Sequence, residues 1–347
     1  MKLHAILAAT VCAAALPAYA DEKVTESVSY ASYGGAYQDG VRKAILDLLP
    51  EAYGMTVVDY VLSGGISDVR TKVKANANDL DVVELYGGFC DIAATEGLLV
   101  PLDYSKIPNA AGIPEQLRNK YWIGFTAYST VLAYNTDVYG TNPPKNWADF
   151  FDVEKFPGTR SVGGAYPQSN MEIGLLADGV AKENIYPIDM DRSMKKWAAF
   201  KPDITVSWSS GAQATQLATA GEADMIAIWA ARIDAAIKNG AHYTYSLNDA
   251  VMDVECLVVP KGSPNPDGAM RLVNHLLDPK YQANLPDYIP YGPVNQDAFK
   301  LGLISPEKAA KVVTSTENLK KQLITNMGYW AQNAAEAQTK WDAVMLQ

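Results

Sequence analysis

Apolar and polar positions alternate along "VSYASY", and then change period. The alternation predicts a strand. Val41, Ile45, Leu48 and Leu49 recur at helical spacing, so a helix is expected from about Tyr37 to Leu49. Gly54 closes this unit and "MTVVDYV" reads as the next strand. "SGGISD" opens a second helix, where Ser67 or Asp68 is placed to cap free backbone N–H groups. "LDVVELY" is a third strand, and "GGFCDIAATEG" a turn with a short helix. Repeated strand–helix units of this kind predict an α/β fold with a mostly parallel, doubly wound sheet.

A long β-rich run follows, "YWIGFTAYSTVLAYNTD", and then "NPPKNWADFF", whose proline pair cannot continue a central strand. A crossing between lobes is expected near Tyr134-Asn135. A second series then begins. "RSVGGAY", "ITVSW" and "DMIAIW" read as strands; helices are expected around 169–182 and 189–200 and over "SGAQATQLATAG" and "AARIDAAIKNG". "DVECLVVP" is a returning strand, "NPDGAMRLVNHLLD" an amphipathic helix, and the tail from Ser305 to Gln347 reads as largely helical. No repeat and no low-complexity linker interrupts the chain. Several ordered strands, and not one flexible tether, should therefore join the two lobes.

The first residues stand apart. "MKLHAILAATVCAAALPAYA" has a basic start, an apolar middle and the A-x-A ending Ala18-Tyr19-Ala20, so a signal peptide cleaved after Ala20 is expected. Cys12 follows Val11, a poor context for lipidation, which points to a soluble exported protein. Of 347 residues, 327 remain, long for one core and natural for two lobes. The whole chain has 29 basic and 39 acidic residues; the leader removes only Lys2, leaving 28 against 39 and a net charge of −11. Such a surface repels phosphate backbones, so nucleic acid is not an expected partner. Cys90 and Cys256 remain; an oxidising compartment permits a disulfide, and two buried free thiols are the alternative.

The chemistry-bearing motifs are sparse. After the leader only His242 and His275 remain, and neither sits in H-E-x-x-H. There is no G-x-S-x-G elbow and no phosphate-binding G-x-x-x-x-G-K-[ST] loop. "GGAYQDG" departs from G-x-G-x-x-G, and "DMDRS" lacks the glycine and glutamate of a calcium loop. No cofactor, metal or catalytic chemistry is expected. Ligands of open α/β sheets collect at the C-terminal ends of strands. That rule selects the loops 33–37, 86–88, 207–211 and 229–232. Tyr33, Tyr37, Tyr86, Trp208 and Trp229 stand there, and aromatic faces suit alkyl chains and ammonium groups. Gly34 and Gly35 let backbone approach a ligand closely. The alternative for each aromatic is a place in a lobe core.

In that setting "SYGGAYQDGVRKAI", "LDVVELYGGFCDIAATEGLLVPLD", "STVLAYNTD" with "PPKNWADFFDVEKFPG", "AGEADMIAIW", "ECLVVPKGSPN" and "YIPYGPVN" occur in a telling order. The sequence resembles the periplasmic substrate-binding proteins of ABC importers, specifically the spermidine/putrescine-binding branch of the extracellular solute-binding proteins. The resemblance spans nearly the whole chain after the leader. It implies a type II periplasmic binding protein fold, two doubly wound α/β lobes joined by hinge strands around a ligand cleft. The lobes would be 21–134 plus 256–304, and 135–255 plus 305–347. It implies a monomer in the periplasm that closes on its solute and presents it to a membrane permease. In that branch an acidic residue two before the leucine of the returning strand contacts a ligand amine. Glu255 matches it, in "MDVECLVVP".

Two departures from the branch bear on the ligand. Where it usually has Trp-Asn-Gly, this chain has Trp229-Ala230-Ala231-Arg232. A guanidinium holds a carboxylate in a two-pronged geometry, so Arg232 with Glu255 would suit a zwitterion; the alternative is that the two pair with each other. Acidic residues usually follow the strand at "SVGGAYPQSNMEIG", and only Glu172 is available here. The expected site is therefore Tyr33, Tyr37, Tyr86, Trp208, Trp229 and Tyr291 as walls, with Glu255 and Arg232 for the charges. Gly34, Gly35 and Gly87, with Gly64, Gly65 and Gly88, would keep the floor low and offer backbone N–H groups. The expected ligand is a polyamine such as putrescine or spermidine, or an ω-amino acid such as γ-aminobutyrate. The alternatives are a sugar or organic anion, a periplasmic enzyme on the same fold, or a receptor that delivers to a sensor.

Overall fold

The computed structural model describes residues 26–165 and 167–345. The leader and its cleavage position lie outside the described residues. The strands are β1 Glu26–Ser32, β2 Met55–Val61, β3 Val82–Tyr86, β4 Trp122–Asn135 and β5 Arg160–Gly163, then β6 Val206–Trp208, β7 Met225–Trp229, β8 Tyr243–Val258, β9 Gly292–Pro293 and β10 Leu323–Ile324.

Among the described residues they form one sheet, in the order β2-β1-β3-β8-β4-β7-β5-β6, with β9 on β4 and β10 on β8. β1 is parallel to β2 and β3, and β5 to β6 and β7. These are the two doubly wound halves. Between them β4 and β8 run antiparallel to each other, β8 antiparallel to β3 and β4 to β7. The halves thus share two long strands that pass from one to the other.

The cores follow the same division. One gathers Tyr30, Leu85, Phe125, Leu257 and Leu272. A second is built on Trp147, Phe150, Trp197, Trp330 and Trp341, and a third on Trp208, Ile226, Ile228 and Ala236. Along β4 the change of core falls between Ala127 and Val131, several residues before Tyr134. Along β8 it falls between Val251 and Met252.

Three elements differ from the periodicity reading. The first helix runs only over Gly35–Ala44; a 3-10 turn Leu46–Leu48 and a short helix Leu49–Tyr53 follow, with Pro50 in its first turn. Proline has no N–H for the preceding turn, so the apolar stripe continues while the helix restarts. β8 begins at Tyr243, well before "DVECLVVP". Polar Asn248 and Asp249 hide its first part, and Asp249 has φ +58. There the ladder slips register, from Thr130 opposite Val251 to Leu132 opposite Ser246. The tail carries β10 and two one-turn helices before its helix Met327–Met345.

Cys90 and Cys256 form a disulfide, with Cα atoms 6.4 Å apart. It ties the helix Gly87–Thr95 to β8. A bridge across such a long loop contributes about 2–5 kcal/mol.

Candidate functional site

Side chains of adjacent antiparallel strands that face each other directly share one side of the sheet. Glu255 on β8 lies opposite Tyr86 on β3 and Thr126 on β4. Asp253 lies opposite Tyr128, and Glu84 opposite Leu257. Period two therefore puts Glu84, Asp253 and Glu255 on one side with Tyr86 and Tyr128, and Cys256 on the other. All three carboxyls are buried, Glu84 completely.

Above them is a cavity of about 550 Å³ between the two halves. The loop after β1 and its helix supply Tyr33, Gly34 and Tyr37, and β3 supplies Tyr86. The second half supplies Trp229 at the end of β7 and Arg232 on the helix Ala230–Lys238; Tyr291 comes from the segment before β9. Glu255 is on the wall. Aromatic rings meet edge to face around it: Tyr37 with Tyr291 at 5.0 Å, Tyr291 with Tyr128 at 5.5 Å, and Tyr128 with Trp229 at 6.1 Å. This belt links the halves.

The three acids are held very differently. Glu84 accepts hydrogen bonds from the hydroxyls of Tyr30, Ser32 (2.7 Å) and Tyr37 (2.5 Å). Tyr37 is also hydrogen-bonded to the Thr126 hydroxyl at 2.8 Å. Burial raises the Glu84 carboxyl and the three hydroxyls hold it down. Asp253 accepts from Gln168 Nε2 at 2.7 Å and Ser169 Oγ at 3.3 Å; burial pushes it up to about 6. Glu255 has the Tyr33 hydroxyl as its one stabilising contact, and its Oε2 has no hydrogen-bond partner among the described residues. Burial, then the charges of Glu84 and Asp253, push it well above the ordinary carboxylate range.

Arg232 is exposed at the rim, with Nε and Cζ of its guanidinium, and Cδ, against Gly211. It makes no ion pair with Glu255, so the two charges are presented separately. Its field reaches the wall: it lowers the Tyr291 hydroxyl while burial and Glu255 raise it.

Three expected residues serve other ends. Trp208 is buried; its indole N–H donates to the Ala227 carbonyl at 3.1 Å and its ring packs edge-on against Trp229 at 5.1 Å. β6 lies at the far end of the sheet from the cavity, so Trp208 supports Trp229 from behind. Gly87 is off the wall too: a Cβ there would lie 2.5 Å from the Val254 carbonyl, so its lack of a side chain lets the helix Gly87–Thr95 sit on β8. Gly35 is likewise not on the wall. Gly34 is, but its N–H donates to Gln38 Oε1 at 2.9 Å and is not offered to a ligand. Its φ of +70 and the 2.8 Å from a Cβ to Val61 Cγ1 require glycine for the turn. Glu172, the one acid available after β5, faces the second core, not the cavity.

Periodicity and the strand-end rule both passed over Tyr128, which lies mid-strand in an apolar run. The signal for it was its period-two relation to Thr126 and Thr130 in "TAYST". Tyr288, Ile289 and Pro290 also line the cavity; only the neighbouring Tyr291 carried a sequence cue.

Two α/β halves wound on shared strands, with an aromatic ligand-sized cavity between them, define a two-lobed binding protein. The chain belongs to the bacterial extracellular solute-binding protein family, whose model matches residues 44–312. It is 28% identical over 333 residues to the gamma-aminobutyric acid-binding protein of Pseudomonas aeruginosa, covering 94% of this chain and 93% of that one. The crystal structure of an ABC transporter substrate-binding protein from Bradyrhizobium japonicum is similar at 39% identity and TM-score 0.87, over 93% of this chain and all of the other. The structure of the Atu4243-GABA receptor is similar at 32% identity and TM-score 0.82, over 92% and 97%.

Proposed function

We propose that the chain captures a small zwitterion of the ω-amino acid kind, with γ-aminobutyrate as the leading candidate, and hands it to the membrane permease of an ABC importer. The observation that carries this reading is the separation of Glu255 and Arg232. A buried carboxylate with a free oxygen needs a cation, and an unpaired guanidinium at the rim suits an anion. The aromatic belt between them suits the alkyl stretch and the ammonium face. The P. aeruginosa relative and the GABA receptor structure, by their names, lend it support.

Polyamines fit less well. Glu84 and Asp253 already accept hydrogen bonds, so one acid is open for one ammonium. A second ammonium would meet Arg232. Turnover is not proposed: among the described residues the charged groups of the wall are one carboxyl and one guanidinium, with tyrosines between. In this reading the lobes 21–134 plus 256–304, and 135–255 plus 305–347, close on the ligand as a monomer, with β4 and β8 as the hinge. The mature chain begins at Asp21, in the periplasm.

Calorimetry on the purified mature chain tests the proposal with γ-aminobutyrate, 5-aminovalerate, putrescine, spermidine and succinate. One of the two ω-amino acids should bind at least about tenfold more tightly than any diamine. Equal or tighter binding of putrescine overturns it.

A further inference from the structure

We propose that the site takes up the ligand's ammonium in exchange for a proton: the free protein carries one proton on the Glu84–Glu255 pair, held by Glu255, and the ammonium displaces it to solvent. This rests on the reading of Glu255 as the amine acceptor.

The geometry leads there in three steps. Glu84 and Glu255 hang from the same side of neighbouring strands, diagonal to each other across the β3–β8 ladder. Both are buried, and no cation contributes to the charge balance of either. Two adjacent buried carboxylates without a cation do not both ionise.

The hydroxyls then decide which one keeps the proton. Three hydroxyls lie within hydrogen-bond distance of Glu84, two at Oε2 and one at Oε1, and an ionised carboxylate accepts from all of them. Because Tyr37 donates to Glu84, Thr126 donates to Tyr37. Glu255 has one such contact and an unpartnered Oε2. The charge belongs on Glu84 and the proton on Glu255.

Among the described residues, no cation lies in contact with the pair. From β8 comes Asp253, a further acid. The tyrosines around Glu255 are Tyr30 and Tyr33 from β1 and the loop after it, Tyr37 from the following helix, Tyr86 from β3, Tyr128 from β4 and Tyr291 before β9. All are raised by burial and stay neutral. Arg232 faces the site from across the cavity, exposed.

The step balances. Protonated Glu255 and an alkylammonium give a carboxylate–ammonium pair and one hydrogen ion in water. The Glu84–Glu255 pair, counted with the ligand's ammonium, stays at one net negative throughout.

Calorimetry with γ-aminobutyrate near neutral pH, in phosphate and in Tris, reads the proton directly. About one proton should leave per ligand bound, and apparent affinity should rise about tenfold per pH unit below the titration of the pair. Glu84→Gln removes the fixed anion, so proton release should fall toward zero while binding stays measurable. Binding enthalpy that is the same in both buffers overturns the exchange and leaves the amine site standing. If γ-aminobutyrate does not bind and putrescine does, the zwitterion reading falls, and the proton count with putrescine still tests the exchange. Carbon-13 NMR of glutamate carboxyls in the free protein decides without a ligand. It should show a protonated carboxyl at neutral pH that Glu255→Gln removes; its absence overturns the proposal.

Discussion

Glu255 and Glu172 are two buried carboxyls, one on the shared strand β8 and one in the tryptophan-rich second core, and each has an Oε2 with no hydrogen-bond partner among the described residues. Glu172 Oε1 accepts from the Tyr186 hydroxyl at 2.6 Å and the Trp330 indole at 2.7 Å, inside a closed tryptophan-rich core. Glu255 opens on the cavity. An unpaired buried carboxyl is a binding group only where there is room for a cation. Where there is none, a proton neutralises it and the group becomes a polar strut.

The largest effect that tests this contrast is on affinity. Glu255→Gln should weaken binding of the amine ligand by roughly 1,000-fold, on the order of 4 kcal/mol, because the ammonium would be buried without its anion. Glutamine resembles the protonated acid, so unfolding stability should stay within about 1 kcal/mol of the parent. Glu172→Gln should leave affinity within about twofold. Calorimetry and urea unfolding on the two variants check both halves, and a large affinity loss at Glu172 would break the comparison.

Next in size is the pH dependence of stability. Burial raises Glu172 from 4.5 to about 7. The folded state therefore binds a proton that the unfolded state has released between those values. Its stabilising share is present in full below about 4.5 and is lost as pH rises through about 7, on the order of 3 kcal/mol. Asp253, raised from 3.8 to about 6, acts with the same sign over a narrower window. Glu172→Gln should flatten the decline between about pH 5 and 8, read by urea melts at each pH. An unchanged slope would mean that Glu172 is ionised in its core.

Arg232 sharpens the contrast from the ligand's other end. Arg232→Gln should weaken γ-aminobutyrate about tenfold or more and leave n-butylamine nearly unchanged, since only the first has a carboxylate. Competition calorimetry separates the two. Equal losses for both would place Arg232 in packing and not in recognition.

The order of strands and helices was legible because each βα unit announces itself by a change of period. The strand-end rule selected the ends of β1, β3 and β7, and Tyr33, Tyr86 and Trp229 from those ends line the cavity. Glu255, also on the cavity, was singled out because a charge in "MDVECLVVP" has no place in an ordinary buried strand. The pairing of β4 with β8 was not legible, because it joins residues more than a hundred positions apart. The place of Tyr128 follows from that pairing, and the hydroxyls of Tyr30 and Ser32 reach Glu84 through the pairing of β1 with β3. Glu84 itself looked like one polar residue in "VVELY", with no local sign of its three partners.

Trp208 and Trp229 form the smallest and most instructive pair. Both stand at a strand end, so one rule selected both. β7 lies next to the shared strand β4, whereas β6 lies beyond β5 at the edge. The rule needs the strand order before it can tell a wall from its backing. Trp208→Phe removes the bond to the Ala227 carbonyl and leaves a ring behind Trp229, which should reduce stability by about 1 kcal/mol. It should change ligand affinity by about twofold at most. Trp229→Phe touches the wall itself and should weaken binding several-fold, with less effect on stability. Parallel thermal melts and calorimetry of the two variants resolve the difference, and a Trp208 variant that loses affinity as strongly as the Trp229 variant would return Trp208 to the binding surface.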